Sequence, residues 1–387
     1  MVTWHQENGV TAESFSLLGG PLYQIGRRLG LVRGTNTVRL GLALGPGLWL
    51  VVLALSLLGG MAPRLFQWSV VGANARLLLV IPLCFVCESL VGPRMTAFVH
   101  TIVVRGIVPP GMTAALDAEV RRANRRANAW WPEAAWLLIA VVLELTGTRL
   151  GIYGTTEVAD ASRTSPAALV YFHVGVTLFR FVLFRWGWKL VLWSWFLWRV
   201  SRLDLCLIPG HPDRMGGLGS LGGVHERFAS LVAAISIIEC TALAESISAG
   251  TAVFAATYVL LAMVLMASGA LFIAPLLVFT DKLLAARLRG GGQYGNFAAR
   301  YVTAFESKWT AGDVREGEPL LGTEDVQSMA ALDSVISIVK EMRWITVGSR
   351  LLTTMTMAAV APFLPLLLLE YPIADLSKKF IMRLVGL

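Results

Sequence analysis

Apolar runs about as long as a bilayer is thick constrain this chain more than any other feature. A helix needs about 20 mainly apolar residues to cross about 30 Å of hydrocarbon. Seven stretches meet that length: Leu40–Gly60, Val70–Val91, Ala129–Gly147, Ala167–Phe184, Ala229–Ala249, Thr251–Phe279 and Val347–Leu369. The second is uninterrupted only from Leu77 and must take in Arg76 to be long enough. The fifth and sixth are separated by little more than Gly250, which predicts a tight helical hairpin. No period-two alternation appears, which argues against a β-barrel. The predicted fold is therefore all-α: a polytopic membrane helix bundle of about seven transmembrane helices.

Composition supports this. Of 387 residues, 56% are hydrophobic and 15% charged, and the mean hydropathy is +0.65. A soluble domain carries about 25% charged residues, so a cytosolic enzyme is excluded, as is a disordered chain. The net charge of +8 reads as cytoplasmic loops and anionic lipid headgroups rather than nucleic acid. Twenty-four Lys and Arg fall in the N-terminal segment and in the stretches after the second, fourth and sixth spans. The alternate loops hold only Arg64, Arg149 and Arg163. Short cytoplasmic loops carry the basic excess, so the N-terminus is expected inside. The first 35 residues lack a signal-peptide core and are expected to be kept.

The organisation that follows is a cytoplasmic segment 1–39 and a bundle 40–280 with basic loops 92–128 and 185–228. A cytoplasmic segment 281–346 with a helix near 323–345 comes next, then a last span with an amphipathic tail, 347–387. Seven crossings would place Lys378, Lys379 and Arg383 outside; otherwise the final segment, interrupted by Pro362 and Pro365, turns back. The surrounding bilayer is the expected partner, with further copies of the chain as an option.

Four cysteines, Cys84, Cys87, Cys206 and Cys240, do not make a disulfide framework. The Cys84/Cys87 spacing on a helix reads as packing, since no second pair or His cluster accompanies it. No metal or cofactor is expected. From Phe179 to Arg202 the chain reads FRFVLFRWGWKLVLWSWFLWRVSR. Its five tryptophans predict an interfacial Trp-rich extension of the fourth span. Arg180, Arg185 and Lys189 lack the regular spacing of three that a voltage sensor keeps. The loop His211-Pro-Asp-Arg-Met-Gly-Gly-Leu-Gly reads as a turn into the fifth span, or as a cytoplasmic site built on His211, Asp213, Arg214, Gly216 and Gly217. Arg289-Gly-Gly-Gly-Gln-Tyr-Gly is expected to be a flexible break. Thr323-Glu-Asp-Val-Gln is expected to start a helix capped by Thr323.

The run from the Trp-rich helix through HPDRMGGLG, with LGTEDVQSMAALDS followed by EMR, resembles a family of bacterial multi-pass inner-membrane proteins to which no reaction is attached. The resemblance covers roughly the C-terminal 200 residues. It implies a bacterial inner membrane and carries over no functional residue.

Ionisable groups at membrane depth are costly and face a partner or a wet cavity. They sort into an outer layer of Arg76, Glu144, His173 and Glu245, with Glu239 near the middle. The inner layer is Glu88, Glu133, Arg180 and Arg185. Structural pairs drawn from Arg76, Glu88 and Arg180 explain them; Arg76 with Glu144 is the pair expected in the outer layer. The functional alternative is an ion or proton path through Glu133, Glu144, His173, Glu239 and Glu245. Glu133 and Glu144 lie three turns apart and share a helix face. No HExxH, GxSxG or paired-aspartate signature lies in a span, so no catalytic residue is assigned and no enzyme is expected. The function expected is movement of a small ion or solute, or else a non-catalytic scaffold whose cytoplasmic loops bind a partner.

Overall fold

The computed structural model describes residues 15–149, 165–310 and 324–366, with backbone only at 148 and 149. It is helical throughout, with no strand among the described residues. A short α1 (Pro21–Arg28) precedes α2 (Val38–Leu58) and a long α3 (Trp68–Val104). An amphipathic α4 (Thr113–Ala127) leads into α5 (Trp130–Arg149), and α6 (Pro166–Ser201) follows. After the HPD loop come α7 (Ser220–Glu226), α8 (Ala229–Ser248), α9 (Ala256–Ser268) and α10 (Thr280–Trp309). The described chain closes with α11 (Glu324–Lys340) and α12 (Ser349–Val360).

Six of these helical runs are long and apolar enough to cross a membrane. The seventh expected span is described only in part, as α12 and the 3₁₀ turn Ala361–Phe363 with helix continuing to residue 366, the last described. Residues 367–387, including the basic tail, lie outside the described residues, as do Thr323 and Arg163. The α8–α9 hairpin is as expected: residues 249–255 make the turn, with Gly250 at φ +70°.

Three π turns interrupt the spans, at Arg76–Val80, Tyr171–Val176 and Gly269–Ile273. Two share a cause. Pro82 and Pro275 each stand two residues beyond a π turn. A proline has no N–H, and its ring crowds the carbonyl four residues back, so the ladder slips to the wider register just before it. The carbonyl of Phe272, in the third turn, is taken by His225 Nδ1 at 2.6 Å. Trp193 Nε1 donates to His225 Nε2 at 3.0 Å, so the imidazole is a neutral Nδ1–H tautomer bridging α6 and the π turn.

Of two expectations about loops, one is refined and one corrected. The Trp-rich stretch does extend the fourth span, α6 continuing unbroken to Ser201, but it does not lie wholly at a surface: Trp186 and Trp193 are buried in the core. Only Trp198 is exposed; Trp188 and Trp195 are half-buried. The glycine run 289–295 is not a break but the middle of α10. There a Cβ at Gly290 would overlap Pro209, so glycine lets the HPD loop dock on the helix. The run from Ala256 to Trp309 is 54 residues, a contour of about 80 Å at 1.5 Å per residue. That is well beyond the hydrocarbon thickness of about 30 Å that a span must cross, and α11 packs along the distal part of the run.

Contacts gather several segments at one end of the bundle. The Cys206 amide donates to Ile107 O (2.8 Å), Lys282 Nζ to Leu203 O, and the Arg343 amide to Arg214 O (2.7 Å). This end holds the stretches counted above as basic.

Candidate functional site

Four charged side chains form a buried network at the basic end. Glu88 on α3 is 2% exposed, Arg185 2% and Lys189 8%, both on α6, and Glu133 on α5 is 7%. Arg185 grips Glu88 bidentately at 2.7 and 2.9 Å and donates Nε to Glu133 at 2.8 Å. Lys189 Nζ reaches Glu88 at 2.5 Å. Two carboxylates meet two cations, so the cluster is neutral, as burial in low dielectric requires. A planar guanidinium can face two carboxylates at once, which lets one residue of α6 tie α3 to α5.

The segment before α1 closes the network. Phe15 and Leu17 are buried, and Phe15 packs 4.5 Å from the Phe196 ring. Thr96 Oγ1 donates to Phe15 O (2.7 Å), and the Ser16 amide donates to Asn124 Oδ1 (3.0 Å). At the second residue of α1, the Leu22 amide donates to Glu133 Oε2 at 2.8 Å. Irregular backbone is thus satisfied by polar side chains, which is what such a segment needs when packed among helices. Two small cavities of about 20 and 10 Å³ flank Lys189. Each is near the volume that one water occupies.

A second polar cluster lies toward the opposite end. Arg180 pairs with Glu144 at 3.0 Å, which moves Arg180 out of the inner layer in which the sequence placed it. Arg76 donates to the Tyr171 hydroxyl at 3.0 Å, joining two π turns. Glu245 accepts from the Gly72 amide at 2.7 Å, tying α8 to α3.

The expected path residues therefore separate. Glu133 and Glu144 do share the face of α5 that meets α6, as their spacing predicted, but arginines occupy both. His173 is exposed on its π turn, and no hydrogen bond or ion pair joins it to them among the described residues. Glu239 is half-buried near the middle of α8, without such a partner among the described residues.

In the HPD loop, Asp213 accepts from the amides of Met215 (2.8 Å), Gly217 (3.1 Å) and Gly219 (2.8 Å), and His211 Nδ1 lies 2.9 Å from it. Arg214, Gly216 and Gly217 take positive φ of 56°, 62° and 100°. Arg214 pairs with Glu341 beyond α11 at 2.8 Å. The carboxylate is consumed in holding the turn, and the arginine in seating the α10–α11 pair.

Sequence reasoning did not assign Lys189, His225 or Phe15–Leu22 a place in the core. A faint signal existed in the alternation Phe15, Leu17 and in the four-residue spacing Arg185, Lys189, which puts both on one face.

The fold and these clusters define a polytopic helical integral membrane protein. No family model matches the chain, and no match is found among curated proteins or solved structures.

Proposed function

We propose that the chain is a non-catalytic membrane scaffold whose α10–α11 hairpin is the working surface, with the basic end and the N-terminus on the cytoplasmic side of a bacterial inner membrane. The observation that carries this is the hairpin. α10 leaves the bundle as a 30-residue helix, α11 lies against it for 17 residues, and most of their outward side chains are exposed. Its base is fixed to the bundle by Arg214–Glu341 and by Pro209 seated on Gly290. The orientation rests on the bias of Lys and Arg toward that end. Photo-crosslinking from Phe297, 49% exposed on α10, is expected to give a discrete protein adduct in native membranes. The same probe at Leu138, 64% exposed on α5, should yield lipid. Equal patterns from both positions would end the scaffold reading.

A second reading, ion movement, has one observation in its favour: Glu239, half-buried at mid-span. It predicts pH-dependent flux in proteoliposomes that Glu239→Gln abolishes without changing thermal stability. The scaffold predicts no flux of protons, alkali cations or halides in either protein.

A further inference from the structure

Where α4 runs antiparallel to the last turns of α6, Glu119 accepts from two guanidiniums at a single oxygen. Arg122 Nη1 lies 2.7 Å and Arg199 Nη2 2.6 Å from Oε1. Glu119 is buried, while the Arg122 and Arg199 side chains are 55% and 36% exposed. The two cations thus share one anion and keep donors facing outward. One turn along α4, Arg126 lies 4.3 Å over the Trp195 ring. Arg199 and Arg202 flank Trp198 at 5.9 and 5.3 Å. Four guanidiniums against one carboxylate leave this face with a net +3. Farther up α6, toward the apolar spans, Trp188 packs edge-to-face against Trp131 at 5.8 Å, and Trp131 is 56% exposed.

We propose that this α4–α6 face binds an anionic phospholipid, its phosphate held by Arg122, Arg126, Arg199 and Arg202 and its glycerol and upper acyl region lying along Trp195, Trp188 and Trp131. Guanidiniums bind phosphate through paired N–H donors. Tryptophan rings favour the depth where headgroup meets acyl chain. A basic pocket beside membrane helices is how headgroups are recognised. The order along α6, tryptophans toward the spans and arginines beyond them, matches a lipid lying with its tails toward the bilayer. A soluble phosphate would use the arginines and leave the tryptophans without a role.

The test is phosphatidylglycerol binding by native mass spectrometry, with the full chain purified in phosphatidylcholine-containing micelles and titrated with phosphatidylglycerol. A basic residue near an anionic surface contributes about 1 kcal/mol, about fivefold in affinity. Arg122→Gln with Arg126→Gln should therefore weaken binding by about 25-fold, and Arg202→Gln alone by about fivefold. The matched pair Arg27→Gln with Arg28→Gln, exposed on α1, should change it less than about twofold. Thermal unfolding in phosphatidylcholine alone checks that each variant is folded; if the double variant is not, Arg202→Gln decides. Trp188→Ala should weaken lipid binding severalfold. Equal losses from the two arginine pairs would show diffuse charge attraction and overturn the site. Displacement of the lipid by millimolar inorganic phosphate, with Trp188→Ala inert, would overturn it in favour of a soluble anion.

Discussion

Replacing Glu88 and Lys189, singly and together, probes whether the buried network behaves as one charge-balanced unit. Glu88→Gln keeps the side-chain volume but removes the charge and one of the two oxygens that accept three charge-assisted bonds, at 2.7, 2.9 and 2.5 Å. It leaves two buried cations against Glu133 alone, and Lys189, 8% exposed, loses its carboxylate. Breaking a buried pair by removing one partner costs about 3–5 kcal/mol. Lys189→Met is milder, because both carboxylates still hold Arg185 and the thioether can fill the adjoining 20 Å³ cavity; about 1–3 kcal/mol is expected. The double variant restores neutrality, one cation facing one carboxylate. Its cost should fall short of the summed single costs by about 2 kcal/mol, within the range of coupled neighbours. Reversible unfolding in mixed micelles with increasing denaturing detergent, at neutral pH, gives the four free energies. Additivity within about 0.5 kcal/mol, or Lys189→Met costing more than Glu88→Gln, would refute the argument.

Three further outcomes are expected. Alanine at Gly291, Gly292 and Gly295 meets nothing within 4 Å and sits in a helix interior. The triple variant should be more stable by about 0.5–1 kcal/mol per site, read as a higher unfolding temperature; a fall would show that α10 is not continuous there. Gly217→Ala forces φ +100° on a residue with a Cβ and drives that Cβ into Ile107. It should cost about 1–3 kcal/mol and speed hydrogen exchange at the Cys206 amide, which donates to Ile107 O; an unchanged exchange rate would show the loop does not hold the 206–107 contact. On the exposed hairpin, Lys308 donates to Asp325 at 2.6 Å and holds its carboxyl below the usual range. A depressed folded pKa means the stabilisation is present above the unfolded value of about 3.9 and is lost as pH falls through the folded one. Spin labels at positions 305 and 329 should therefore separate only below about pH 4, and separation at neutral pH on acid titration would contradict the pair.

Much of the architecture was legible because a twenty-residue apolar run has few other uses. The shared face of Glu133 and Glu144 followed from helical period alone. What failed was the side on which polar groups lie. FRFVLFRWGWK mixes cations and tryptophans as an interfacial helix would, yet Arg185 and Lys189 turn inward because Glu88 and Glu133, distant in sequence, neutralise them. The glycines of α10 read as a break by propensity, but helix packing and the seat for Pro209 override it. Phe15–Leu22 belongs to a leading 35-residue stretch that reads as polar and Gly-rich, and only the fold supplies the partners that bury it.

That segment also sets an order of assembly. Its seats are Thr96, Asn124, Glu133 and the aromatic face of α6 around Phe196, so its first-made residues wait for a helix made much later. At about 5–20 residues per second, roughly 10–30 s pass between synthesis of Leu22 and of Arg185. During that time the early helices carry Glu88 and Glu133 without their arginine. Insertion of α6 is then the step that neutralises α3 and α5 together and lets the leading segment lock across them, so a nascent chain stopped before Arg185 should be the species that membrane quality control removes.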